Sequence, residues 1–399
     1  MPGQKSEHPT PFPPQPLLRA RMPELDSLRG IAILLVLYYH GFASRYGTTG
    51  LSGLQKFLVG LTAPGWAGVN LFFALSGFLI TGILLDSKQR PDYFRRFYWR
   101  RALRILPAYY ALLLLLPLFG RYGLLGENVS WKFLGLSAVY LANVTVFFGV
   151  PMQFGVLWSL AVEEHFYLIW PVIVRHLRRG AIAGVALLIA AAATLARVAA
   201  FRLGYDALAH YTWLVADGLA FGSLLAVLAR GPRPSRAVNA LIAVGALAGV
   251  VMVVVPFHRA FLGGALNVTA LNLLCTAVVA VTLLLGASSW SSLVRWRILG
   301  FFGEISYGLY LIHMLIFNVF DSMQSHLFPA APPFKGHFGI MLVRFCVSAP
   351  IAVGVAALSR RYFEEPFLRL KDRFRPVPVS AAEIAEHPAV VSEARSEPA

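Results

Sequence analysis

The chain has 399 residues, 57% of them hydrophobic and only 14% charged, with a formal net charge of +16. A soluble globular domain carries roughly 25% charged residues, so this composition excludes a water-soluble protein and points to an integral membrane one. The basic excess suggests nucleic acid at first sight, but its placement along the chain assigns it to membrane topology, and no nucleic-acid partner is expected.

Residues 1–24 are polar and Pro-rich, without the apolar core of a cleavable signal, and are expected to form a tail ahead of the first span. A membrane domain is expected over 25–375, followed by a polar, Ala/Glu-rich tail at 376–399 expected to be disordered. Apolar runs predict ten spans, near 28–44, 66–85, 103–119, 157–174, 181–200, 208–229, 237–256, 266–287, 300–319 and 338–359. Loops and termini on one side then hold 24 Lys and Arg against 7 on the other, with four more inside spans. The positive-inside rule places both termini in the cytoplasm. The fold class is therefore all-α and polytopic, in the cell inner (plasma) membrane.

The first span carries Arg29 and His40. Eleven helical steps bring the second side chain back to within about 20° of the first, about 16 Å along the axis. Ionisable groups are costly in hydrocarbon and mark function by default. The second span adds Asn70 and Ser76. The segment 93–110, YFRRFYWRRALRILPAYY, is strongly basic. Arg96, Arg100 and Arg104 recur at i, i+4 and share a face if helical, and Arg95 and Arg101 widen the patch. Guanidinium groups bind phosphate bidentately, and a basic patch also anchors topology against anionic lipid. Residues 131–148 are apolar enough to span, but spanning would turn Arg175, His176, Arg178 and Arg179 outward. A re-entrant or interfacial piece on the outer side is expected there.

The fourth span carries three consecutive ionisable residues, Glu163, Glu164 and His165, roughly 10 Å from its outer end. Asp217 in the sixth span is either a site residue or the counter-charge of a buried arginine. The ninth span presents Ser306, Tyr307, Tyr310 and His313, and the tenth Arg344. Any one of these polar groups satisfies a neighbouring helix in many membrane proteins; five spans bringing polar groups to one depth in the outer half of the bilayer is the stronger signal. Cys275 and Cys346 both fall within spans and read as small apolar residues. No metal is expected. A basic patch at the inner face with a histidine about 16 Å deeper suits an anionic carrier with a thin arm, such as coenzyme A.

Six segments, taken in order, resemble acyltransferase family 3, the integral membrane O-acyltransferases of bacterial surface glycans and related substrates. They are PELDSLRGIAILLVLYYH, GVNLFFALSGFLIT (68–81), RRALRILPAYY (100–110), LWSLAVEEHFYLIWP (157–171), GEISYGLYLIH (303–313) and RRYFEEPF (360–367). The resemblance runs over about 23–372 and is to the stand-alone form, without an added hydrolase-like domain. At the position of His165 the family more often has glutamine.

The resemblance implies transfer of an acyl group, most often acetyl, from cytoplasmic acyl-CoA as co-substrate to a hydroxyl of a glycan or lipid-linked glycan. Arg29, Arg95, Arg96, Arg100, Arg101 and Arg104 would hold coenzyme A. His40 would act as general base or accept the acyl group itself. Glu163 or Glu164 would orient the imidazole, and His313 would bind the acceptor or stabilise the oxyanion. The other reading is a proton-coupled transporter or flippase, in which intramembrane His and Glu relay protons. The absence of paired inverted repeats in the sequence speaks against it.

Overall fold

The computed structural model describes residues 17–19, 21–43, 50–125, 128–206, 210–231, 234–254, 265–327 and 337–370. The expected tail 376–399 and most of 1–24 lie outside the described residues. Among those described, the chain is helical without strands. Eight helical stretches are long and apolar enough to cross a membrane. The protein is an all-α polytopic membrane protein.

The chain begins with α1 (Pro23–Tyr38), which runs into a π turn at Tyr39–Ala43. A short amphipathic helix, α2 (Gly53–Gly60), leads through a 3-10 turn into α3 (Ala67–Asp86). The helix α4 (Tyr93–Arg121) has 29 residues, about 43 Å of rise. That exceeds the roughly 30 Å hydrocarbon core, so part of α4 extends beyond it. The segment 131–148 is not one helix. It breaks into α5 (Trp131–Ala138) and a 3-10 helix at Ala142–Phe148. At the break, Tyr140 adopts φ 59°, and its ring stacks on Tyr109 at 4.4 Å. A left-handed tyrosine is sterically costly, and the stacking offsets part of that cost.

Next come α6 (Leu157–His176) and α7 (Arg179–Arg202). The expected span 208–229 is divided, with α8 (Thr212–Val215) turning at Ala216 into α9 (Asp217–Leu228). Then follow α10 (Pro234–Val254), α11 (Ala265–Ala287), α12 (Arg297–Leu327) and α13 (Phe338–Leu358). A second π turn, Ser359–Glu364, leads into α14 (Glu365–Leu370).

Two helix crossings set the frame, and both are made of glycine. A Cβ on Gly30 of α1 would lie 2.0 Å from the Leu299 carbonyl oxygen, and one on Gly303 of α12 would lie 2.0 Å from the Asp26 carbonyl oxygen. The α3/α9 pair repeats the device, with Gly77 against Leu219 and Gly222 against Ala74 at 2.0 and 2.1 Å. Lipid tails are as apolar as side chains, so close backbone approach replaces the hydrophobic drive to associate. These contacts seat α1 on α12 and α3 on α9, and residues of α1, α3, α6 and α12 line a common cavity.

Buried ion pairs fasten the rest. Glu24 is fully buried between Arg19 and Arg295. Arg197 of α7 and Asp217 of α9 pair through both carboxylate oxygens, 2.6 and 3.1 Å, with both side chains at most 1% exposed. Asp217 is thus the counter-charge of a buried arginine.

Candidate active site

His40 sits on the π turn that ends α1. Its Nδ1 is 3.0 Å from the Val36 carbonyl oxygen and 3.2 Å from Nε2 of His313. His313 Nδ1 lies 3.0 Å from the Leu309 carbonyl oxygen. Carbonyl oxygens only accept, so both rings carry their proton on Nδ1. His40 Nδ1–H then donates to Val36 O and to the lone pair of His313 Nε2. The other nitrogen of His40, Nε2, carries the ring's lone pair. His313 is fully buried, and its geometry makes it the group that orients His40.

Arg344 fixes the turn itself. Its Nη1 donates to the carbonyl oxygens of Gly41 (3.0 Å) and His40 (3.3 Å), and the guanidinium lies 4.4 Å from the centre of the Phe317 ring. Asp321 holds Arg344 in place at 2.5 and 3.0 Å. A π turn leaves carbonyls out of the α-helical register, and Arg344 satisfies two of them. Gly41 must be small, because a Cβ there would lie 2.4 Å from the Phe345 ring. Sequence reasoning did not single out Asp321: a carboxylate near a helix end gives no hint of which helix it will meet.

At the other end of α1, Arg29 lines a narrow cavity of about 80 Å³ with Ser76, Arg101, Arg104, Glu163 and Tyr310. The structure divides the predicted arginine patch. Arg101 and Arg104 join Arg29, whereas Arg95, Arg96 and Arg100 do not line this cavity. Tyr93, Phe97, Ile105 and Ala108 form the buried stripe of α4, and position 101 falls on it at i+4 from Phe97. That stripe was legible in the sequence and overrides the i, i+4 spacing of the arginines alone. Arg101 stacks over the Tyr167 ring at 4.7 Å. Arg104 is accessible to solvent yet surrounded by protein, as a cavity-lining side chain is. Neither Arg101 nor Arg104 forms an ion pair among the described residues.

The carboxylates of α6 point elsewhere than expected. Glu163 accepts from Ser76 Oγ at 2.7 Å and from the Tyr167 hydroxyl at 3.1 Å. Glu164, about 100° further round α6, lies within electrostatic reach of Tyr109, Tyr140 and Tyr307. His165 Nδ1 meets the Thr212 hydroxyl at 2.7 Å. The nitrogen of His40 expected to face a carboxylate faces His313 instead.

His40 lines a second, larger cavity of about 510 Å³, together with Asn70, Trp158, Arg197, His210 and Tyr310. Val69, Phe73 and Tyr310 border both cavities. Between them the Tyr310 hydroxyl meets Ser159 Oγ at 2.5 Å. Asn70 donates to Asn272 Oδ1 at 2.7 Å. Ser306 and Tyr307 line the arginine cavity but spend their hydroxyls on the carbonyls of Gly303 and Ile105, each at 2.8 Å. Tyr310, which the sequence reading named, is joined at the site by Ser159 and Tyr167, with Asn272 behind Asn70; as single polar residues in apolar helices these three carry no distinctive sequence signal.

The arrangement thus joins an arginine cluster to a basic imidazole through adjoining cavities inside a helix bundle. The family model described as an acyltransferase domain matches residues 22–361. The chain belongs to this family, acyltransferase family 3. Within it, the chain is 29% identical over 382 residues to a Bacillus subtilis (strain 168) protein provisionally named peptidoglycan O-acetyltransferase YrhL, covering 86% of this chain and 54% of that protein. It is 32% identical over 170 residues to peptidoglycan O-acetyltransferase OatA of Listeria monocytogenes, covering 38% of this chain and 24% of that protein. This acyltransferase-family chain therefore spans about half, or less, of the length of these relatives. No solved structure matches it.

Proposed function

We propose that this protein is an O-acyltransferase of the inner membrane that moves an acetyl group from cytoplasmic acetyl-CoA to a hydroxyl of a glycan at the outer side. The carrying observation is the pair of cavities that share Val69, Phe73 and Tyr310, one lined by Arg29, Arg101 and Arg104 and the other by His40. The guanidinium groups suit the phosphates of coenzyme A, which they engage through paired N–H donors. The separation of Arg29 and His40 along α1, about 16 Å, is of the order of a pantetheine arm. Both relatives are named for O-acetyl transfer to peptidoglycan, which supports a glycan acceptor and acetyl as the group.

In this reading His40 Nε2 takes the proton of the acceptor hydroxyl as its oxygen attacks the thioester carbonyl carbon. The C–S bond breaks, the ester C–O bond remains, and the imidazolium returns the proton to the departing thiolate. The hydrogen bond from Nδ1–H to His313 Nε2 shares the charge gained at the transition state. Direct transfer, without an acyl-histidine, is favoured because one oriented base serves both proton transfers.

The test uses the full chain purified in nanodiscs with acetyl-CoA and a soluble glycan acceptor. His40→Ala should lower acceptor-dependent release of coenzyme A by about 10²–10⁴-fold, the usual contribution of a positioned base, without changing the amount of folded protein. Near wild-type transfer by this variant would overturn the role of His40. Solute uptake into proteoliposomes without consumption of acetyl-CoA would instead favour a transporter.

A further inference from the structure

The 510 Å³ cavity at His40 has a composition that the transfer chemistry alone does not require. Its wall combines aromatic rings with one side-chain amide, that of Asn70. Trp158 of α6 stacks on His210, 4.2 Å between ring centres and 27° between planes, and Trp66 lines the same space. Asn70 is on the wall, and its amide is fixed by Asn272, which is fully buried and whose own Nδ2 finds no acceptor among the described residues. Aromatic faces with a few convergent hydrogen-bonding groups are what a ligand with an apolar face and a polar rim requires. A pyranose ring has that shape: axial C–H groups on one face and hydroxyls around its edge. The volume lies within the usual 300–1,000 Å³ of small-molecule sites.

The charge on the wall decides which sugars fit. Among the described residues the wall has one permanent cation, Arg197, and its donors are fully engaged. Its five N–H groups go to both oxygens of Asp217, to the carbonyls of Ala265 and Leu214, and to the Thr269 hydroxyl. A guanidinium has five donors and no more, so Arg197 has none left for a ligand carboxylate. Among the described residues of the wall, then, no guanidinium or ammonium donor is left to meet the carboxylate of an acidic sugar, and a buried charge without a partner is disfavoured.

Resting on the acyltransferase reading above, we infer that this cavity is the acceptor subsite, that it takes an uncharged pyranoside stacked against the Trp158–His210 pair with a hydroxyl toward His40, and that it discriminates against sugars bearing a carboxylate. Asn70 serves as the hydrogen-bonding group at the ring edge, and the Arg197–Asp217 pair shapes the wall without contributing net charge.

The experiment is saturation-transfer NMR on the full chain in nanodiscs, with methyl β-D-glucopyranoside, methyl N-acetyl-β-D-glucosaminide and methyl β-D-glucopyranosiduronic acid as probes. Acetyl-CoA binding is measured in parallel by calorimetry. At least one neutral glycoside should bind, with the glucuronide at least tenfold weaker. Trp158→Ala should weaken the neutral glycoside at least tenfold, and Trp158→Phe, which keeps a ring, should restore it to within about threefold. In turnover, Trp158→Ala should act on KM for the acceptor more than on kcat. The inference is overturned if no neutral glycoside binds, if the glucuronide binds equally well, if well-folded Trp158→Ala protein binds the neutral glycoside within about threefold of wild type, or if well-folded Trp158→Phe protein binds it no better than Trp158→Ala. Sugar binding at Trp158 with no acetyl-CoA binding would overturn the acyltransferase reading and leave the sugar site standing.

Discussion

His40 was conspicuous as a lone imidazole in an apolar run, but its chemistry is set by a residue 273 positions away. The carbonyls of Val36 and Leu309 assign the tautomers, and with them the identity of the basic nitrogen. Replacing His313 by Phe keeps a ring in the buried space and removes one of the two acceptors of His40 Nδ1–H, leaving the Val36 carbonyl. A neutral hydrogen bond contributes about 0.5–1.5 kcal/mol, so kcat should fall by up to about tenfold, with acetyl-CoA affinity unchanged, as read by steady-state kinetics and calorimetry. Arg344 belongs to the same scale. Arg344→Gln removes the guanidinium from a largely buried pair with Asp321 and releases the carbonyls of the turn. Breaking such a pair costs about 3–5 kcal/mol; thermal unfolding in detergent should show the loss, and Asp321→Asn should show one of similar size. Arg344 was legible in the sequence as an intramembrane cation. Asp321 was not, because ion pairing between helices depends on which faces meet.

At the scale of elements, the glycine crossings explain why α1 meets α12 and α3 meets α9. Gly77→Val would place a branched side chain where even a Cβ lies 2.0 Å from the Leu219 carbonyl oxygen. Overpacking costs about 1–3 kcal/mol, and the crossing has no flexible side chain to yield. Gly300→Ala is the control: nothing lies within 4 Å of its added Cβ, and alanine favours a helix by up to about 1 kcal/mol. Melting curves of the two variants should therefore move in opposite directions. The break at Tyr140 makes a related point. The charge asymmetry of the loops argued against a continuous span at 131–148, although apolarity alone allowed one, and the chain there forms two short helices.

Considered whole, the molecule is a bundle with adjoining cation-rich and imidazole-bearing cavities that share Val69, Phe73 and Tyr310. Arg101→Gln with Arg104→Gln should weaken acetyl-CoA binding by at least tenfold. Because exposed electrostatic contacts are screened by salt, wild-type affinity should fall between 50 and 300 mM salt more steeply than that of the double variant. Titration calorimetry at the two concentrations checks both statements. Loss of folded protein without a change in affinity of the remainder would make these arginines anchors only.

The sequence by itself determined the membrane class, most of the helices, the family and the costly residues, since hydrophobic length and buried charge are properties of composition along one chain. Tertiary structure decided the pairings: His40 with His313 rather than with a glutamate, Arg344 with Asp321, Arg197 with Asp217, and Arg101 and Arg104 rather than Arg96 and Arg100 beside Arg29. The reason is geometric. A helix presents every face to the sequence reader equally, and only packing against specific neighbours, here through glycines that admit backbone contact, selects which face turns inward.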